Sequence, residues 1–124
     1  MRETILVFGA TQEELRLRLQ KALMPLKVRL TFVRSEDYGQ PLGRLAGLKD
    51  LPAGQDVDQE HEISDTMIVF AFLSDEKLGR ALTALRGLGA GPLPYKAVLT
   101  DTNKFWTPAE CLEELRREHE QLNG

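Results

Sequence analysis

The chain has 124 residues, 42% hydrophobic and 28% charged, proportions ordinary for a globular domain, and its length predicts a single domain, 1–124. Sixteen Lys and Arg against nineteen Asp and Glu give a net charge of −3 and a pI near 5.4, which argues against nucleic acid as a partner. A chain this long buries roughly two-thirds of its unfolded surface and needs no metal or disulfide staple. Its one cysteine, Cys111, excludes an internal disulfide and fits a reducing compartment.

Met1 to Thr4 lead into a short apolar run before Gly9, and Glu13 and Glu14 follow closely. A secretory signal needs a longer apolar region and a transit peptide avoids acids. No window approaches the roughly 18 apolar residues of a membrane span. A cytoplasmic location and no membrane partner are therefore expected.

Thr4 to Phe8 is a β-branched and aromatic run stopped by Gly9, the pattern of a strand buried on both faces. Thr11-Gln12-Glu13-Glu14 reads as a capping box opening a helix, with Leu15, Leu19, Ala22, Leu23 and Leu26 at helical spacing and Pro25 at its end. Val28, Leu30 and Phe32 alternate with polar neighbours, as in a half-exposed strand. Pro41 to Ala46 predicts a two-turn helix with Pro first and Gly47 just past the end. Residues 51–64, rich in acids, read as an exposed, flexible loop.

Thr66 to Leu73 is the most hydrophobic window and predicts a central strand. Ser74 caps the next helix, Asp75 and Glu76 sit in its first turn, and Leu78, Ala81, Leu82 and Leu85 form its buried stripe. Gly87, Gly89, Gly91, Pro92 and Pro94 turn the chain into a fourth strand, Lys96 to Thr100. Thr107-Pro108-Ala109-Glu110 is a second capping box. The helix it opens carries Leu112, Leu115, His119 and Leu122 on one face. The order β-α-β, connection, β-α-β, helix predicts an α+β fold: the ferredoxin-like βαββαβ plait with an added C-terminal helix. The alternative, a flavodoxin-like α/β sheet, needs a crossover helix where this chain is rich in Gly, Pro and acids.

Few residues point to chemistry. His61 and His119 each sit in a Glu-His-Glu triplet, yet no His-x-x-x-His or Cys-x-x-Cys spacing accompanies them, so no metal or other cofactor is expected. Cys111 lies near a helix start without a base beside it. Phe8-Gly9-Ala10-Thr11 joins a strand to a helix, but lacks the glycines of a dinucleotide fingerprint and the lysine of a P-loop. No nucleophile–base pair is visible, and the chain reads as non-catalytic. The densest polar cluster is Thr100, Asp101, Thr102, Asn103 and Lys104, closed by Phe105 and Trp106. Such a loop at a helix start suits a small zwitterion. Lys96 and Asp101 would supply charge, Thr100, Thr102 and Asn103 hydrogen bonds, and Trp106 an apolar wall. Turn chemistry explains the same residues: Asn103 tolerates left-handed geometry, and Asp101 and Thr102 favour side-chain turns.

The run Lys96-Ala97-Val98-Leu99-Thr100-Asp101-Thr102-Asn103-Lys104-Phe105-Trp106-Thr107, followed by Leu112-Glu113-Glu114-Leu115 and Glu118-His119, resembles the signature end of an uncharacterised bacterial domain-of-unknown-function family. Gln40 to Leu45 and Met67 to Phe70 resemble its middle section. The resemblance spans nearly the whole chain, departing at Phe105 and Cys111. It implies a bacterial, cytosolic setting and a loose link to amino-acid metabolism, but no reaction. The function expected is a small-molecule (amino-acid-like) binding or regulatory module. The alternative is a protein-interaction adaptor using the acidic loop or the last helix, and a small enzyme comes third. A small zwitterionic ligand and a homodimer are the partners expected.

Overall fold

In the computed structural model, residues 2–52, 63, 65–89 and 93–123 are described. Strands β1 (Thr4–Phe8) and β3 (Met67–Ala71) are buried at every position, so both faces of the sheet are covered, as the apolar runs Ile5 to Phe8 and Met67 to Ala71 require. On one face Ile5, Val7, Ile68 and Phe70 pack with Leu19 and Leu23 of helix α1 (Glu13–Leu23) and with Ala81 and Leu85 of helix α3 (Asp75–Arg86). On the other, Leu6, Phe8, Met67 and Val69 meet Leu42 of the short helix α2 (Leu42–Leu45) and Cys111 and Leu112 of helix α4 (Pro108–Asn123). Each fully buried Leu, Ile, Val or Phe contributes about 1.5–3 kcal/mol, so the two central strands carry the largest share of the core.

The strand order is β2-β1-β3-β4, with β2 (Arg29–Phe32) and β4 (Tyr95–Val98) at the edges. β2 runs parallel to β1 and β4 parallel to β3, whereas β1 and β3 are antiparallel, with Leu6 opposite Val69 at the midpoint. Two βαβ units thus stand head to tail about an axis normal to the sheet. That symmetry keeps α1 and α3 on one face when both crossovers have the same hand.

The α+β composition agrees with the sequence, but the expected plait does not form. In a plait each crossover skips a strand, placing β2 beyond β3 and β4 beyond β1. Here each edge strand stays beside the strand it follows. The flavodoxin-like alternative also fails, because the central pair is antiparallel. Both the plait and the observed sheet put β1 and β3 in the middle and both crossover helices on one face. Hydrophobic pattern therefore does not distinguish them.

Local expectations fare unevenly. Ser74 Oγ accepts from Lys77 N at 3.2 Å. Thr107 Oγ1 accepts from Glu110 N, and Glu110 Oε1 accepts from Thr107 N at 3.1 Å, a complete capping box. The first box does not form. Helix α1 is capped by Gln12 without a side-chain bond, and Glu14 pairs instead with Arg18, one turn on, at 2.8 Å. Helix α2 spans Leu42–Leu45, with Pro41 as its cap. The fourth strand ends at Val98. Of the expected acidic loop 51–64, Leu51 and Ile63 are buried, which corrects full exposure at those points. Residues 53–62 and 64 lie outside the described residues.

Candidate functional site

The predicted site occupies the corner where β4 leaves the sheet and turns into α4. Leu99 N donates to Phe70 O at 2.8 Å, so by strand alternation Lys96, Val98 and Thr100 direct their backbone groups outward. Asn103 meets two of these. Its Nδ2 donates to Val98 O at 2.9 Å and its Oδ1 accepts from Thr100 N at 2.7 Å. One side-chain amide thereby does what a peptide of a neighbouring strand would do. Asn103 N in turn donates to Thr100 Oγ1 at 3.0 Å. Asn103 is buried, and every polar group it carries on its side chain is engaged within the corner.

The corner is seated on α2. Leu42 N donates to Trp106 O at 2.8 Å, and Trp106 N donates to Asn103 O at 2.9 Å. A Cβ on Gly43 would lie 2.5 Å from Leu51 Cδ1 and 3.0 Å from Lys104 Cβ, so a larger residue would have to displace the end of Leu51 and press on Lys104. Gln40 to Leu45 and Lys96 to Thr107 are thus two halves of one contact.

The six predicted residues do not converge. Thr100 and Asn103 are joined, whereas Lys96 Nζ turns back to donate to Leu93 O. Asp101 is fully exposed and faces Lys104 Nζ at 3.5 Å. Thr102 is exposed and Trp106 is half-buried. Trp106 lines a shallow surface groove with Glu110, Glu113, Glu114 and Arg117, where Arg117 already pairs with Glu114 at 3.2 Å and Glu113 at 3.7 Å.

Other sequence candidates are also placed. Gly9, at φ +70°, gives its N–H to Tyr38 Oη at 2.9 Å, so the strand–helix junction is closed by a phenol. Cys111 is buried, and burial pushes its thiol up to about 11, with the Glu118 carboxylate adding to the rise. His119 sits edge-on to Tyr95, ring centroids 5.8 Å apart; His61 lies outside the described residues. Among the described residues no group of three or more His, Cys, Asp or Glu is placed to hold a metal, and no helix is long and apolar enough to cross a membrane. Gly43 and Tyr38 were missed at the sequence level. A glycine between Leu42 and Leu45 of a short helix was the available sign of close backbone approach. Nothing in the sequence marked Tyr38 as the partner of a glycine 29 residues away.

Sheet, corner and covering helices define a small mixed α/β module. Residues 66–122 match a family described as "Domain of unknown function (DUF3783)", a stretch that runs from β3 through the corner into α4. No curated protein and no solved structure matches the chain.

Proposed function

We propose that the chain is a non-catalytic interaction module that receives a protein partner on the outer face of α4. The observation that carries this reading is the two-sidedness of that helix. Cys111 and Leu112 enter the core, while Glu113, Arg117 and Glu120 are exposed on the opposite side. The corner beside it supports the same reading, because Thr100 and Asn103 are engaged in holding the chain together and the six predicted residues do not converge. The acidic segment, the other adaptor surface expected, lies mostly outside the described residues.

A second reading, an amino-acid-like zwitterion, is favoured by the groove at Trp106. It brings an aromatic wall beside one guanidinium and several carboxylates, enough to take a carboxylate on Arg117 and an amine on Glu113 or Glu114. A thermal-shift panel of amino acids separates the two. A ligand at one hundred times its Kd adds about 2.7 kcal/mol of stability. The interaction reading predicts a flat panel and a cross-linked partner lost when Glu113 and Glu120 are both replaced by Lys. A selective shift abolished by Arg117→Ala would overturn it in favour of the ligand.

A further inference from the structure

The two edges of the sheet are not equivalent. At β4, Asn103 occupies Val98 O and Thr100 N, leaving outward only the N–H and C=O of Lys96 and the N–H of Val98. At β2 the inward groups are fixed by Arg29 N donating to Glu3 O at 3.0 Å and Val33 N donating to Val7 O at 2.9 Å. Alternation then turns the N–H and C=O of Leu30 and Phe32 away from β1. Among the described residues no hydrogen bond reaches them from outside the sheet. An edge of this kind templates another strand.

We propose that β2 is a docking edge that takes an extended, acidic peptide segment of a partner protein as a fifth strand. Charge selects this occupant. From Lys27 to Arg34 the sequence holds three cations and no acid. Lys27 is exposed, Arg34 keeps 78% of its side chain open, and Arg16 lies over the Phe32 ring at 4.9 Å. Acids follow only beyond the strand, where Glu36 reaches back to Arg34 at 2.8 Å. A second copy docking through the same edge would bring Lys27 and Arg34 of one strand alongside an equally cationic strand, and like charge juxtaposed across an interface is unfavourable. Main-chain bonds to Leu30 and Phe32 would give affinity, and glutamates or aspartates flanking the incoming strand would give selectivity.

This inference extends the interaction-module reading to a surface separate from α4, so its failure leaves the reading at α4 standing. The test uses the full chain, isotope-labelled, and a synthetic heptapeptide alternating valine with glutamate, beside the same peptide with lysine for glutamate. The glutamate peptide should bind about tenfold tighter at low salt and protect the Leu30 and Phe32 amides from hydrogen exchange. The double variant K27E/R34E should reverse the preference. Leu30→Pro removes an outward N–H without breaking the ladder, and should weaken binding while the far-UV spectrum is kept. Equal affinity for both peptides, no binding, protection confined to α4, or a dimer formed through β2 would each overturn the proposal.

Discussion

At the scale of single residues, the most telling side chains are those whose chemistry the fold has suppressed. Cys111 enters the core with the first turn of α4, where a helix start would otherwise favour a thiolate. Burial wins, and the thiol rises to about 11. Because the folded value lies above the unfolded one, near 9, the associated stability is complete below about pH 9. It is lost as pH rises through about 11, at about 1.4 kcal/mol per pH unit between the two. Alkylation by iodoacetamide at pH 8 should therefore track global unfolding, and rapid labelling of native protein would refute this environment. In the sequence Cys111 was legible only as a cysteine at a helix start without a base beside it. The role of Asn103 was legible only as a turn preference, because its two partners are set by which way β4 alternates.

At the scale of elements, the same four-residue pattern behaves differently at two helices. Thr107 and Glu110 exchange hydrogen bonds across the first turn of α4. Thr11 and Glu14 do not, since α1 begins after Gln12 and Glu14 is spent on Arg18. Urea denaturation should show Thr107→Ala and Ser74→Ala each losing about 1 kcal/mol. Thr11→Ala should stay within about 0.5 kcal/mol of the parent, the range of a surface change away from such features. A loss at Thr11 as large as at Thr107 would contradict the observed start of α1. Element existence was readable along most of the chain because periodicity reports burial. Element ends were not, because they turn on which neighbour captures a side chain.

At the scale of the whole molecule, the sequence identified the two central strands, since only strands covered on both faces are apolar throughout. It left the edges undetermined. Swapping β2 and β4 between a plait and the observed sheet changes no residue's hydrophobic class. What sets the two edges apart is Asn103, which takes up two outward groups at the end of β4, while β2 keeps its outward groups. The 100–106 loop is first a structural closure, and the recognition surfaces proposed above are the outer face of α4 and β2. Urea unfolding of Asn103→Ala beside Asp101→Ala tests that claim most directly. Removing two buried side-chain hydrogen bonds should cost about 2 kcal/mol at unchanged m, while Asp101→Ala, an exposed change, stays within about 0.5 kcal/mol. Equal and negligible losses for the two variants would contradict it, and would return Asn103 to the role of a free ligand-binding group.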